Sequence, residues 1–211
     1  MQIQWFGLSY YKIQTKDAVI LVNPYASKFG LKTPHFKADI LLISQENEEY
    51  NYRPAGLSNP FTIDSPGEFE LKDVFVYSVP FYPENKKESE KGPINQFLLE
   101  AEGMTLAFLA GLNSVPTEEQ LERFDEVDVL FIPVGGKEVL DAAAASKVIS
   151  EIEPRIVVPM HYKTPGLKLS LADANLFCRE MGIKESESLE KLKISAKDLP
   201  QDETKVFLLK P

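Results

Sequence analysis

A polar loop that follows a buried strand carries the side chains best suited to chemistry. The continuous apolar run from Asp39 to Ser44 predicts a strand that is buried on both faces. His161 ends a second apolar run, and its imidazole could act as a general base or as a hydrogen-bonding group of a pocket. The competing interpretation of His161 is a histidine that packs and hydrogen-bonds at a strand end. The loop itself supplies amide, carboxylate and phenol groups at Gln45, Glu46, Asn47, Glu49 and Tyr50.

The supply of soft metal ligands is small. The chain has two histidines, His35 and His161, and one cysteine, Cys178. Zinc sites in proteins are built mainly from several imidazoles and thiolates, so this inventory cannot assemble one. A Cys-x-x-Cys site and an intrachain disulfide are excluded as well, which suits a reducing compartment. Cys178 lies on the apolar side of a predicted helix and is expected to be a small core residue.

The polar loop could instead offer oxygen ligands to a hard cation. Its carboxylates and amides between Gln45 and Glu49 are the donors that Mg²⁺ or Ca²⁺ takes. The spacing of an EF-hand is absent, and charged loop side chains ordinarily face water. A site of this non-standard kind is therefore kept only as an alternative.

Composition limits the classes of function. With 211 residues, 44% of them hydrophobic, the chain is predicted to form a single domain over residues 1–211. The net charge of −9 disfavours partners rich in phosphate, so we expect neither nucleic acid nor an anionic membrane surface as a partner. No apolar run has the length of a membrane-spanning helix, and residues 1–6 do not resemble a secretory signal. We therefore expect a cytoplasmic protein.

The patterning places β-structure first and alternating helices and strands later. Strands are predicted at residues 2–6, 10–14, 18–22, 39–44, 61–64, 68–79, 96–100, 104–109, 127–134, 155–160 and 205–209. A capping box at Thr117 begins one helix, Asp141 caps a second over Ala142 to Ile152, and a third runs from Ser170 to Gly182. Residues 82–92 are charged, mixed in sign and free of apolar anchors, which predicts a solvated loop.

Four segments, taken in order, resemble one known family. They are residues 22–25, 63–70, 128–136 and 153–164. Together they are similar to the metallo-β-lactamase superfamily, in the branch of L-ascorbate-6-phosphate lactonase and the small zinc-dependent hydrolases near it. The resemblance implies an α/β fold, the four-layer αββα sandwich, with the active site at one edge of the two sheets.

The same resemblance implies metal ligands that this sequence lacks. In the family, the loop after the buried strand reads His-x-His-x-Asp-His, and its ligand positions fall here on Gln45, Asn47, Glu49 and Tyr50. Leu8 stands where the branch often has a histidine, Gly111 where it has a metal-bridging aspartate, and Asn23 where it has an aspartate beside the ligands. Among the implied ligands only His161 is retained.

Two hypotheses follow from the sequence. The first is a catalytically inactive, metal-free homologue with a degenerate zinc site and no cofactor. It would bind a small molecule or a protein partner of unknown identity through the old cleft, and a homo-oligomer is left open. The alternative is a hydrolase of altered mechanism, or one with a non-standard metal site, acting on a small lactone or phosphate-containing substrate. It would use Glu46, Glu49, Tyr50 and His161.

Overall fold

A computed structural model describes residues 1–53, 57, 59–82, 92–183 and 188–211. The helices within this part of the chain are α1 (Glu118–Leu121), α2 (Ala142–Ile152) and α3 (Ala174–Glu180), with 3-10 turns at Ser27–Phe29, Glu122–Phe124 and Ala196–Asp198. The strands are β1 (Gln2–Trp5), β2 (Tyr11–Gln14), β3 (Val19–Val22), β4 (Ile40–Leu42), β5 (Phe61–Ile63), β6 (Gly67–Leu71), β7 (Val74–Phe81), β8 (Ile94–Ala101), β9 (Met104–Phe108), β10 (Val129–Pro133), β11 (Ile156–Met160), β12 (Ser188–Leu189), β13 (Leu192–Lys193), β14 (Lys205–Val206) and β15 (Leu208–Leu209).

Thirteen of these strands form two large mixed sheets, and β12 pairs with β15 in a third, two-stranded sheet. The first has the order β13-β1-β2-β3-β4-β5, antiparallel up to β3 and parallel from β3 to β5. The second has the order β14-β11-β10-β9-β8-β7-β6, a meander from β6 to β9 followed by parallel pairs. In the first sheet β4 is parallel to its neighbours, and in the second sheet β9, β10 and β11 are parallel to one another. The carboxyl ends of parallel strands lie at the same end of a sheet, so the polar loops that follow these strands can meet there.

The main core lies between the sheets and is rich in aromatic rings. Phe108 of β9 stacks on Phe131 of β10 with ring centroids 4.0 Å apart, and Tyr11 of β2 meets Phe131 edge-on at 4.9 Å. Helices α2 and α3 add buried side chains such as Val148 and Phe177 to this core. The alternation of buried and half-buried residues along β1 shows why its sequence reads as a strand with one covered face.

A second, smaller core covers the outer face of the first sheet. Leu8, Tyr10, Tyr25 and Leu41 pack there beneath the chain that includes the 3-10 turn at Ser27–Phe29. The α/β sandwich predicted from the sequence is confirmed. In the described residues, the layer over the first sheet consists of loops and this turn, whereas α2 and α3 supply the regular helices.

Two carboxylates join the sheets at the edge from which β4 and β9 start. Asp39 accepts hydrogen bonds from the Val19 amide (2.8 Å) and from the Lys72 ammonium (2.6 Å), which lies in the turn between β6 and β7. Glu102, in the turn between β8 and β9, accepts from the Lys16 amide at 2.7 Å and pairs with the Met1 amino group at 2.6 Å. Each carboxylate therefore connects a turn of the second sheet to the first.

Three predicted elements differ from the structure by more than a few residues at their ends. Residues 68–79 form a hairpin instead of one strand, because the chain turns at Lys72 and Asp73, both with positive φ. The helix predicted from Ser170 starts at Ala174, where the Asp173 side chain accepts from the amide of Asn175. Residues 205–209 divide into β14 and β15, which pair in different sheets. Residues 83–91 of the predicted solvated loop lie outside the described residues.

In the part of the chain that the structure covers, no helix has the length and apolar character needed to cross a bilayer.

Candidate active site

The polar loop after β4 is held in place by a buried amide. Asn23 is fully buried, and its side chain both accepts from the Ser44 amide (2.8 Å) and donates to the Ser44 hydroxyl (3.0 Å). Farther along the loop, the carbonyl of Glu48 accepts from the Ala26 amide at 2.8 Å. The segment after β3 therefore fixes both the entry to the loop and its middle.

A tight backbone contact fixes His161 at the end of β11. Its φ of 55° lies in the left-handed region, and its amide donates to the Leu8 carbonyl at 3.0 Å. Its own carbonyl oxygen lies so close to Gly135 that a Cβ added there would be 2.1 Å away. Gly135 is therefore needed for close backbone approach. The imidazole is buried, with 2% of its surface exposed.

Four side chains form a hydrogen-bonded chain around this imidazole. His161 Nε2 lies 2.8 Å from Glu49 Oε1, and His161 Nδ1 lies 3.2 Å from Ser9 Oγ. The Ser9 side chain also hydrogen-bonds with the phenol of Tyr50. The Tyr50 ring runs nearly parallel to the imidazole, with centroids 6.0 Å apart and an interplanar angle of 12°.

The proton positions follow from the donors and acceptors. An ionised Glu49 carboxylate can only accept, so Nε2 of His161 carries a proton. In the neutral imidazole Nδ1 is then an acceptor, and Ser9 donates to it. Burial, and then the negative charges of Glu49 and Glu138, hold the pKa of Tyr50 well above its usual range despite the hydrogen bond to Ser9. Tyr50 therefore stays a neutral phenol that can donate to Ser9.

Glu49 connects this chain to an open cavity of about 510 Å³. The cavity wall includes the carboxylates of Glu46, Glu49 and Glu138 and the amide of Gln45, and Gly111 forms part of its floor. His161 lies behind Glu49 and does not line the cavity. The complete wall is formed by Gln45, Glu46, Asn47, Glu49, Tyr50, Gly92, Pro93, Ile94, Gly111, Asn113 and Glu138.

The side chains at this site do not fit a metal ion. Within residues 1–53, 57, 59–82, 92–183 and 188–211, no group of three or more His, Cys, Asp or Glu side chains is arranged to hold one. Both imidazole nitrogens of His161 already have partners. The other acidic side chains of the loop are engaged as well: Glu48 pairs with Lys28, and Glu46 accepts from Asn51 at 2.9 Å. Neither a zinc centre nor the alternative oxygen-ligand site therefore follows from this donor set.

The structure brings the predicted site residues together. Gln45, Glu46, Asn47, Glu49 and Tyr50 line the cavity, and His161 contacts Glu49 behind it. Sequence reasoning missed Ser9 and Glu138, and it noted Gly111 only as a lost ligand. The Gly7-Leu8-Ser9 segment was a signal for Ser9, since the branch that the chain resembles often has a histidine in this segment, whereas nothing in the sequence marks Glu138. The functional role of the six predicted residues stays a prediction.

Comparisons with known proteins place the chain in a family. A family model described as the beta-lactamase superfamily domain matches residues 2–161. The chain belongs to this superfamily, and it has the metallo-β-lactamase fold. A structure assigned to a zinc-dependent hydrolase of that superfamily from Thermotoga maritima superposes with a TM-score of 0.80 at 24% identity, covering 99% of both chains.

Relatives of similar length share the name UPF0173, and several of them are named hydrolases. A UPF0173 protein of Pyrococcus abyssi is 28% identical and covers 79% of this chain and 85% of its own. A protein of Lysinibacillus sphaericus named UPF0173 metal-dependent hydrolase is 26% identical, over 78% of this chain and 86% of its own. These relatives resemble the chain over most of its length.

The comparisons correct the first hypothesis drawn from the sequence. An inactive, metal-free pseudoenzyme with a degenerate zinc site was expected because the family ligands are replaced at Gln45, Asn47, Glu49 and Tyr50. That expectation is contradicted, since several relatives are named metal-dependent hydrolases and the fold is that of such hydrolases. The alternative hypothesis, a hydrolase, is the better supported of the two. The error came from equating the loss of one set of ligands with the loss of activity.

Proposed function

We propose that the protein is a hydrolase of small lactones or esters in which Glu49 is the general base. The observation that carries this proposal is the Glu49 carboxylate, which lies at the cavity wall and 2.8 Å from His161 Nε2. A carboxylate that is held by a buried imidazole and open to a cavity on the other side can take a proton from water there. The names of the relatives support hydrolysis as the reaction class.

The mechanism uses the side chains of this chain alone. Glu49 removes a proton from a water molecule in the cavity as the water oxygen adds to the substrate carbonyl. The bond between the carbonyl carbon and the leaving oxygen then breaks, and Glu49 returns the proton to the leaving alkoxide. His161 keeps Glu49 oriented through Nε2, while Ser9 and Tyr50 hold the imidazole in the tautomer that donates.

The charge of the cavity selects the substrate. Its described wall contains three carboxylates, Glu46, Glu49 and Glu138, and neither Lys nor Arg. A phosphate group would be repelled by this wall, whereas an uncharged lactone or ester would not. A small neutral ester is therefore the substrate class we propose, in place of the phosphate-containing substrate that the sequence left open.

The cytoplasm is the proposed site of action. The chain has a single thiol, Cys178, which is buried and free, as suits a protein that needs no disulfide. The proposed partner is the small-molecule substrate.

Substitution of the general base tests the proposal. We expect Glu49→Gln, which keeps the shape of the side chain but cannot take a proton, to lower kcat by about 100-fold or more. Hydrolysis of γ-butyrolactone and para-nitrophenyl acetate would be measured for the wild type, for Glu49→Gln and for Glu48→Gln. Glu48 is a matched control, because it lies on the same loop, is exposed and does not line the cavity. Equal turnover by the two variants, or no turnover by the wild type, would refute the proposal.

A further inference from the structure

We infer that Gln45 is a second catalytic residue, whose side-chain amide donates a hydrogen bond to the carbonyl oxygen of the substrate. The inference rests on the proposed hydrolysis and names the group that would stabilise the negative charge formed on that oxygen. In a hydrolase whose side chains do not form a metal site, that charge needs a fixed donor beside the general base. Gln45 and Glu49 lie on the same loop and line the same cavity.

A chain of hydrogen bonds determines which way the Gln45 amide faces. The backbone amide of Glu49 donates to Asn47 Oδ1 at 3.0 Å, and a backbone amide can only donate. The other end of the Asn47 side chain is therefore its amino group, which donates to Gln45 Oε1 at 3.0 Å. The Gln45 oxygen is thus already used, and its amino group points the opposite way. The orientation follows from a backbone donor rather than from a choice between the two ends of an amide.

Gly111 leaves the space that this amino group occupies. A Cβ built on Gly111 would lie 2.1 Å from Gln45 Nε2 and 3.4 Å from Cζ of Tyr50. The amino group therefore packs directly over the glycine, at the floor of the cavity that both residues line. By the resemblance to the family, Gly111 stands where an aspartate is expected and Gln45 where a histidine is expected. The glycine leaves room for the longer amide, and together the two residues place an N–H donor in the cavity.

The donor completes a balanced reaction. When the water oxygen adds to the carbonyl carbon and Glu49 takes the proton, the carbonyl oxygen becomes negatively charged. Gln45 Nε2 donates to that oxygen more strongly in this state than in the neutral substrate, which lowers the barrier. The oxygen regains its double bond when the ester bond breaks, and the leaving alkoxide receives the proton from Glu49. Neither an oxidant nor a further reactant is needed.

Two variants of Gln45 test the role of the donor. In Gln45→Glu the shape of the side chain and the acceptor for Asn47 are kept, but the N–H donor is lost. Gln45→Ala removes both. We expect each to lower kcat for γ-butyrolactone by about 100-fold with a smaller change in KM, whereas Glu48→Gln keeps the rate of the wild type. Rates within about twofold of the wild type, together with an inactive Glu49→Gln, would overturn the inference but leave the proposed function standing. An active Glu49→Gln would overturn the proposed function itself.

A binding measurement tests the contact without turnover. The measurement uses ¹⁵N-labelled Glu49→Gln protein. The side-chain NH₂ signal of Gln45 is assigned as the one that is lost in the double variant Gln45→Ala/Glu49→Gln. Titration with γ-butyrolactone should shift this signal, since the amide would bind the lactone carbonyl. A signal that stays in place while the backbone signals of the loop move would overturn the inference.

The steric relation between Gln45 and Gly111 gives a separate test on structure. Gly111→Ala should lower both Tm and kcat, because its Cβ meets the Gln45 amide and because Gly111 has a φ of 71°. In Gln45→Ala/Gly111→Ala the clash is gone, so part of the lost Tm should return while kcat stays low. Recovery of kcat in the double variant would show that Gln45 is dispensable and would overturn the inference.

Discussion

The hydrogen-bonded chain of Ser9, His161 and Glu49 has the residue types of a serine hydrolase triad, but its direction is reversed. Ser9 is fully buried and does not line the cavity, whereas Glu49 does. A nucleophile must reach its substrate, so Ser9 cannot attack one in the cavity. The carboxylate is the end of the chain that meets the substrate, and the serine is the end that orients the histidine.

His161 should therefore matter for activity more than for folding. We expect His161→Asn to lower kcat by about 100-fold, since the amide cannot hold Glu49 as the imidazole does. Asparagine tolerates the left-handed backbone that His161 adopts, so the fold should persist. Near-UV circular dichroism would check the fold and lactone hydrolysis the activity. His35→Asn, at an exposed position, is the control, and a His161→Asn protein as active as that control would contradict the prediction.

Removal of the Ser9 hydroxyl should act on stability as well. Ser9→Ala leaves His161 Nδ1 and the Tyr50 phenol without a shared partner in a buried environment. An unsatisfied buried polar group costs about 1–3 kcal/mol, so the free energy of unfolding should fall by roughly that amount. Urea unfolding of Ser9→Ala and of the exposed Ser150→Ala would be compared. Equal midpoints for the two variants would show that the Ser9 hydroxyl contributes nothing.

At the scale of elements, Asp39 joins β3 and β4 of the first sheet to the β6–β7 turn of the second. The hydrogen bond from Lys72 and then the Val19 amide hold the pKa of Asp39 below its ordinary value. A lowered pKa gives stability that is present above the unfolded pKa of about 3.9 and is lost as pH falls through the folded one. The joint between the sheets should therefore weaken in acid.

The variant Asp39→Asn should show this dependence. We expect it to lower the free energy of unfolding by about 1 kcal/mol near neutral pH, because it removes a charged acceptor from two partners. At pH 2, below the unfolded value of about 3.9, the stabilising contribution of a carboxyl with a lowered pKa has declined, so the difference should shrink. Urea midpoints at both pH values, with the exposed Asp17→Asn as control, would measure it. A difference that grows on acidification would contradict the assignment.

The elements that the sequence predicted well are those in which particular residues mark both the start and the end of the element. Helix α2 matches its predicted range because Asp141 caps it and Glu153 ends it with a left-handed backbone before Pro154. The β6–β7 hairpin was missed because its turn, Lys72-Asp73, contains neither glycine nor proline although both residues have positive φ. Strand β13 was missed because two residues are too few to show a period.

The sequence identified the segments that carry the candidate site, but it did not give the contacts between them. The loop from Gln45 to Tyr50 and His161 were found as separate segments, and the resemblance to the family suggested that they meet. Distances such as that between His161 and Ser9, separated by 152 residues, follow only from the packing of the two sheets. The fit of the Gln45 amide over Gly111 depends on side-chain conformation, which no spacing in the sequence reveals.

At the scale of the whole molecule, buried tyrosines set an alkaline limit. Burial raises the pKa of Tyr25 to about 12, and burial also raises the pKa values of Tyr10, Tyr11, Tyr50 and Tyr162. A raised pKa favours the neutral phenol in the folded state, so its contribution is complete below the unfolded value of about 10 and is lost as pH rises above it.

Unfolding in alkali should therefore coincide with the ionisation of these tyrosines. We expect Tm to fall steadily above about pH 10, because the unfolded chain then releases protons that the folded chain retains. Tyrosinate absorbance and far-UV circular dichroism, recorded together, should change in one transition. Complete ionisation of all the tyrosines with an unchanged dichroism spectrum would contradict this expectation.

The pairing of β13 with β1 has a consequence for how the protein is made. On the ribosome the N-terminal strands emerge first, yet the outer edge of β1 has no partner until residues 192–193 have been synthesised. During that interval an open strand edge is exposed, and such edges pair readily with other chains. The side chains of Ser9 and Glu49 likewise lack their contacts with the imidazole until His161 has been synthesised. Nascent chains stalled before residue 161 should thus be both inactive and prone to aggregate. The first sheet is complete only after β13 has been synthesised and has paired with β1.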